Sequence, residues 1–302
     1  MSGMTEPRPI VVGIDGSDSA RLAAVWAAGE AARRDVELRL VHTVGVGGFE
    51  HAGRYVPPAD FYAVLETRGR ELLEEADTEV RRAYPAVAVK QILRNGHPTA
   101  VLIDESERAG LVAVGSRGLD AVQRVFAGST AVHLAAHGQC AVAVIHGGTT
   151  GDQLPEEGPV VVGVDGSPAS EAAIALAFEE ASARRTRLIA VHAGTDFVSD
   201  HAYLVARQCI AYWEPYEERD REMLAERLAG WQEKYPDVPV RRVNGLETPA
   251  CALLDYDRTA QLMVVGSRGR GGFAGMLLGS VSRKLINQAT CPLIVARPGA
   301  AH

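Results

Sequence analysis

Cysteine is scarce in this sequence: 302 residues hold four, Cys140, Cys209, Cys251 and Cys291. None stands in CxxC spacing and no His/Cys cluster accompanies them, which argues against a zinc site or a disulfide framework. Free, mostly buried thiols in a reducing cytoplasm are the expectation. Long apolar runs are missing too. Stretches such as Leu111 to Val114 fall far short of the roughly 20 apolar residues that cross a bilayer. Met1 to Pro9 carries Arg8 but no apolar run, so neither a signal peptide nor a membrane anchor is expected there. Excess positive charge is also absent. With 38 acidic and 31 basic residues the formal charge is −7, which argues against a general attraction to nucleic acid. A nucleotide remains compatible, provided its phosphates meet backbone amides and a local arginine.

Motifs of several nucleotide enzymes are missing as well. A P-loop needs Gly-x4-Gly-Lys-Ser/Thr, and no such run exists. A nicotinamide dehydrogenase needs GxGxxG after its first strand, where this chain has Gly-Ile-Asp-Gly-Ser-Asp. The His-x-Gly-His of adenylyl-transferring enzymes is absent, and no repeated nucleophile, base and orienter stand together.

What the chain does have is a second copy of itself. Ile10-Val11-Val12-Gly13-Ile14-Asp15-Gly16-Ser17 returns as Val160-Val161-Val162-Gly163-Val164-Asp165-Gly166-Ser167, 150 residues later. Leu40-Val41-His42 returns as Ala190-Val191-His192 at the same shift. Val114-Gly115-Ser116-Arg117-Gly118 recurs as Val265-Gly266-Ser267-Arg268-Gly269 at a shift of 151, as does Gly128-Ser129 in Gly279-Ser280. A period this long is a duplicated domain, since solenoid units are far shorter. The expected domains are 8–147 and 159–298, joined by a linker over 148–158 within a stretch rich in Gly, Thr, Pro and acids.

Each repeat alternates strand and helix. In the first, Pro9 to Ile14 is a short β-branched run, suited to a buried parallel strand. Ser17 can cap a helix in which Leu22, Val25, Trp26 and Gly29 fall near helical spacing. Val36 to Thr43, Val87 to Leu93, Leu111 to Val114 and Ala141 to Ile145 read as further strands. Phe61 to Ala83, a segment opened by Pro98, and Thr130 to Ala136 read as helices. Five strands alternating with four helices predict an α/β fold, with two Rossmann-like domains, each a parallel doubly wound sheet. Ligands of such sheets lie beyond the carboxyl ends of the strands, where the strand order reverses.

At that place, after strand four, stands Gly-x2-Gly-x9-Gly-Ser. It is written once as Gly115, Gly118, Gly128, Ser129 and again as Gly266, Gly269, Gly279, Ser280. Glycines let a backbone approach a ligand closely. The closing Gly-Ser opens a helix whose free N–H groups favour phosphate oxygens. Ser129 and Ser280 add hydroxyls, and Arg117, Arg268 and Arg270 add positive charge. A flexible loop with an ordinary Ser cap is the plainer alternative. Two copies with one spacing in one context favour phosphate binding.

Both repeats resemble the universal stress protein family, specifically its ATP-binding branch, and the layout resembles its tandem two-domain members. The resemblance rests on Val12 to Ser17, Val162 to Ser167 and the two glycine loops. The second copy, from Gly266 through Arg270, Gly271, Gly279, Ser280 and Val281 to Ser282, is the closer match. It implies adenosine beside the ends of strands one and two, with phosphates on the glycine loop. Asp15 and Asp165 would then contact ribose or help to hold magnesium; the alternative is a turn aspartate bonded to nearby amides. Gly13 and Gly163 would let adenosine approach, and Val41 and Val191, ending strand two, would offer it backbone groups. Asp196 could reach the second nucleotide. His42 and His192 follow the valines and read as structural rather than catalytic. The first copy departs from the pattern. Leu119-Asp120-Ala121 stands in place of Arg270-Gly271-Gly272, and Thr130-Ala131 in place of Val281-Ser282.

The resemblance further implies domains paired through the last strand of each repeat and homodimers of whole chains. The leading reading is a cytoplasmic ATP-binding regulator with an unidentified protein partner and no nucleic-acid or membrane partner. It would turn ATP over slowly if at all. An enzyme of adenylyl or phosphoryl transfer and a nucleotide-free scaffold are its rivals.

Overall fold

The computed structural model describes residues 8–45, 59–116, 128–146, 154–193, 214–245, 247–270 and 277–299. The chain divides into two compact units, the first ending at Leu154 and the second running from Pro155 to Gly299.

In the first unit the order is β1 (Ile10–Gly13), α1 (Asp18–Arg34), β2 (Leu38–Val44), α2 (Ala59–Ala83), β3 (Val89–Asn95), α3 (Pro98–Ser106), β4 (Leu111–Gly115), α4 (Ser129–His137) and β5 (Ala141–Ile145). Its strands lie side by side as β3-β2-β1-β4-β5, all parallel. The second unit repeats the plan with β6 (Val160–Gly163), α5 (Pro168–Ala183), β7 (Leu188–Ala193), α6 (Glu214–Lys234), β8 (Val240–Gly245), α7 (Pro249–Leu254), β9 (Leu262–Gly266), α8 (Ser280–Gln288) and β10 (Leu293–Ala296). Its strand order is β10-β9-β6-β7-β8, again parallel throughout. Among the described residues each unit thus has five strands and four helices, as its alternating pattern predicts. The order reverses between β1 and β4, and between β6 and β9.

Burial explains the strand sequences. Ile10, Val11 and Val12 are buried, as are Val160, Val161 and Val162, because helices cover both faces of a parallel sheet. Every residue of β5 and of β10 is buried too. Helix α1 begins where the Ser17 hydroxyl accepts the Ala20 N–H at 3.2 Å. In α5 Ser167 does the same for Ser170 at 3.2 Å. The inward face of α1 differs from its expected spacing. Leu22 and Val25 are only half-buried, while Ala20, Ala23, Ala24, Ala27, Ala28 and Ala31 form the contact.

Such small side chains bring helix and sheet unusually close. A Cβ added at Gly266 would stand 2.7 Å from the Ala169 carbonyl carbon, and one at Gly115 2.7 Å from that of Ser19. These glycines therefore serve helix–sheet contact as well as the loop they open.

Two strands start later than the sequence pattern suggests. Asp35 takes a left-handed conformation, φ 52°, to end α1, and the Val36 N–H still bonds the Ala31 carbonyl at 3.1 Å. That delays β2 to Leu38. The Val87 N–H closes a turn onto the Tyr84 carbonyl at 3.2 Å, so β3 begins only at Val89.

Because the Ala169 and Ser19 backbones cannot yield as a flexible side chain would, Gly266→Ala and Gly115→Ala should each destabilise by about 1–3 kcal/mol. A lower urea midpoint at unchanged slope is the expected result. Midpoints equal to that of the parent would contradict this tight helix–sheet contact.

Candidate functional site

The strand-order reversals place two segments side by side in each unit: the turn after the first strand and the loop after the fourth. In the second unit the turn is Asp165-Gly166-Ser167. One Asp165 carboxylate oxygen accepts the Ser167 N–H at 2.9 Å, the local bond expected of a turn aspartate. The other accepts the Arg270 backbone N–H at 3.1 Å, 105 residues along the chain. Beside it the Ser167 hydroxyl donates to the Arg268 carbonyl at 3.2 Å. The turn and the glycine loop are thus fastened by two bonds between them.

Glycine is needed where they meet. A Cβ at Gly269 would collide with the Asp165 carboxylate, and one at Gly166 would stand 2.5 Å from an Arg270 guanidinium nitrogen. Gly166 also has φ +74°, a conformation that side chains disfavour. Arg270 therefore folds back across the turn, and it and Arg268 are exposed.

The turn is also held from below. The Val164 N–H donates to the Val191 carbonyl at 2.8 Å, and the His192 Nδ1 bonds the Val164 carbonyl at 2.6 Å. The first unit repeats this with Ile14 to Val41 at 2.8 Å and His42 to Ile14 at 2.6 Å. A carbonyl only accepts, so each Nδ1 carries the proton. The two histidines are structural pins, as the sequence reading favoured.

The glycine loops are closed at their base. Gly128 donates to the Ser116 carbonyl at 2.7 Å, and Gly279 to the Ser267 carbonyl at 2.8 Å. Ser116 and Ser267 in turn donate backbone N–H bonds to Ile145 and Ala296, both at 2.8 Å. Each loop therefore leaves and returns at one point, and its exit opens a helix. Ser129 and Ser280 are exposed on the first turns of α4 and α8, with Thr130 and Val281 half-buried beside them. Among the described residues neither helix start has a side-chain cap bond, and uncapped first-turn amides favour an anion.

In the first unit Asp15 is tied locally, accepting from the Ser17 N–H at 2.9 Å and hydroxyl at 2.6 Å. Gly16 has φ +88°, and its turn is covered by Leu72, where the second unit has Arg270. Arg117, Gly118, Leu119 and Asp120, with Asp196 and Gly271 of the second site, lie outside the described residues.

These distances also show what several of the expected ligand residues do within the fold. Val41 and Val191 do not end their strands, which continue to Val44 and Ala193. Both are buried, and their carbonyls already hold the turn. The side-chain faces of Gly13 and Gly163 are filled by Leu102 and Leu253, 2.9 and 3.1 Å from an added Cβ, so on that side they admit a core leucine. Ser282 is buried and donates its hydroxyl to the Gly266 carbonyl at 2.6 Å, anchoring α8 to β9. Sequence gives the matching Ser17 only a cap; the bond from Ser167 to Arg268 depends on the loop's path.

Of the described thiols, Cys140 and Cys291 are buried. Asp257 accepts from the Thr290 and Cys291 N–H groups at 2.7 and 3.0 Å. Burial, helped by this carboxylate, pushes the Cys291 thiol well above its usual range, so it stays neutral and unreactive. Among the described residues no group of three or more His, Cys, Asp or Glu could hold a metal ion. Among them, too, no helix is long and apolar enough to cross a membrane.

Comparison with known proteins gives this architecture its relatives. The model of the "Universal stress protein family" matches residues 6–146 and again 158–297. The universal stress protein Rv2005c of Mycobacterium tuberculosis is 41% identical over 303 residues, 97% of this chain and 99% of its own. A universal stress protein of Mycolicibacterium smegmatis is 42% identical over 295 residues, covering 96% and 97%. The crystal structure of a universal stress protein from Archaeoglobus fulgidus superposes with a TM-score of 0.67 over 97% of each chain. At 18% identity that likeness speaks for the fold. With two matched repeats and relatives alike from end to end, the chain belongs to the universal stress protein family as a tandem two-domain member.

Proposed function

We propose that this chain binds ATP at the strand-order reversal of each unit and acts as a nucleotide-dependent regulator in the stress response. The observation that carries the reading is the bond from Asp165 to the Arg270 amide, which brings a carboxylate, two arginines and the open start of α8 together. These are the groups a nucleotide with magnesium requires. Amides and guanidinium groups take phosphate oxygens, and the carboxylate takes the ion, directly or through water. Magnesium would neutralise phosphate charge there. The residues' own work is to bind and orient. The Ser267–Gly279 closure fixes the loop, Gly269 keeps the approach to Asp165 open, and Arg270 must swing from Gly166 to reach a phosphate.

The functional domains are 8–147 and 159–298, with 148–158 as linker. Whole chains act as cytoplasmic homodimers that pass the nucleotide state to a protein partner.

Asp165→Ala should weaken ATP binding about 10- to 100-fold, the worth of a charge-assisted contact. Gly279→Glu should do the same by placing a carboxylate beside the phosphates. Position 279 has φ −71°, and among the described residues no atom beyond its chain neighbours comes nearer than 3.4 Å to an added Cβ, so the fold should tolerate the change. Calorimetry on folded variants checks this, and parental affinity in both would refute the site.

The two sites should differ. Leu119 replaces a cation and Asp120 adds an anion in the first loop, so ATP should bind the second site more tightly, and Asp120→Gly should narrow the gap. A tighter first site, read from single-site variants, would reverse the assignment.

Turnover should be slow. Steady-state hydrolysis near the common enzyme value of about 10 per second, lost in Asp15→Ala or Asp165→Ala, would make the chain an enzyme instead.

A further inference from the structure

Helix α4 carries a feature that nucleotide binding does not use. Its sequence, Ser-Thr-Ala-Val-His-Leu-Ala-Ala-His, buries Ala131, Leu134, Ala135 and Ala136. Four-residue spacing then sets His133 and His137 together on the opposite face, where both are exposed. Their imidazole rings are nearly parallel, 12° apart in plane, with centroids 6.4 Å apart.

The protonation of one ring is fixed by the helix itself. His133 Nδ1 lies 2.7 Å from the Ser129 carbonyl. Since a carbonyl only accepts, Nδ1 carries the proton and Nε2 keeps its lone pair. A ring that donates one N–H to a backbone carbonyl while the other nitrogen faces outward is oriented as metal-bound histidines are.

The second repeat gives an internal contrast. At the same places on α8, 151 residues later, stand Lys284 and Gln288. Lysine at neutral pH has no lone pair to offer, so the pair is a property of the first repeat alone.

We propose that His133 and His137 form a surface site for one divalent transition-metal ion, held by two imidazole nitrogens one helical turn apart. Metal–imidazole bonds are about 2.0–2.1 Å long, so the rings must converge from their present spacing. Nothing buried has to move for exposed side chains to do so. With no third His, Cys, Asp or Glu gathered there among the described residues, water completes the shell. Nitrogen donors in a site of so little imposed geometry favour copper(II), with nickel(II) and zinc(II) weaker, as the general affinity order dictates. Magnesium and calcium, which prefer oxygen ligands, are excluded.

The site does not depend on the nucleotide proposal, and its test uses the metal alone. Untagged full-length protein, free of nucleotide, is titrated with copper(II) by calorimetry, and the bound ion is observed by electron paramagnetic resonance. The expected result is a copper site with two nitrogen couplings from imidazole. His133→Ala and His137→Ala should each weaken it about tenfold or more, the scale seen when a supporting group of a metal site is lost. In the parent alone, nickel(II) should slow amide exchange over residues 133–138, because a clasp across one turn opposes fraying of α4. Both positions are exposed, so circular dichroism should show the variants folded. Copper bound with unchanged affinity and spectrum in the double variant would place the ion at other histidines and overturn the proposal. Absence of any such site in the parent would do so too.

Discussion

The residue that follows the first strand of each unit is held by both of its backbone polar groups, and the site is built outward from that hold. Ile14 and Val164 each donate to a valine carbonyl on the neighbouring strand and accept from the next residue's imidazole. With N–H and C=O both fixed, the chain has little freedom over the next three residues. It must turn at a left-handed glycine and start a helix at a capping serine. The aspartate between them is thereby presented at the carboxyl end of the sheet. A valine and a histidine that seem to belong to the second strand thus set where the first strand's aspartate points.

The loop after the fourth strand is ordered by a different device. Its ends are bonded to each other through Ser267 and Gly279 in one unit and Ser116 and Gly128 in the other. Closing a loop costs entropy that grows only slowly with its length, so one bond at the base, backed by a buried serine, defines the opening of the helix beyond it. In the second unit Asp165 and Ser167 add two further bonds to the loop's near side. Gly269 lies between the two: a Cβ added there would meet the Asp165 carboxylate, and one at Gly279 would stand 3.6 Å from the Gly269 nitrogen.

Much of this was legible in the sequence because it is written in local terms. β-branched runs, a serine before each first helix, and Gly-x2-Gly-x9-Gly-Ser announce strands, caps and loop without long-range information. The duplication confirmed each signal by repeating it. What escaped the reading depends on contacts distant in the chain. Val41 and Val191 resemble strand ends by sequence, yet their strands run on, and their carbonyls serve a turn 27 residues back. Gly13 and Gly163 suggest open space, yet Leu102 and Leu253 arrive from helices some 90 residues later. Ser282 is buried and its hydroxyl bonds the Gly266 carbonyl, a helix-anchoring contact that the sequence does not announce. Polarity and spacing locate such residues, but only packing tells which way they face.

Every bond described around Asp165, from Val164 and His192 to Arg268 and Arg270, is made by residues between Pro155 and Gly299. Those around Asp15 stay within the first unit in the same way. Among the described residues, each copy thus carries its own set of turn contacts. The two copies differ in sequence at matching places: Leu119 and Asp120 stand in the first loop where Arg270 and Gly271 stand in the second, and His133 and His137 where Lys284 and Gln288 do. Because both copies are translated as one polypeptide, they are always made in equal number, whatever their sequences have become.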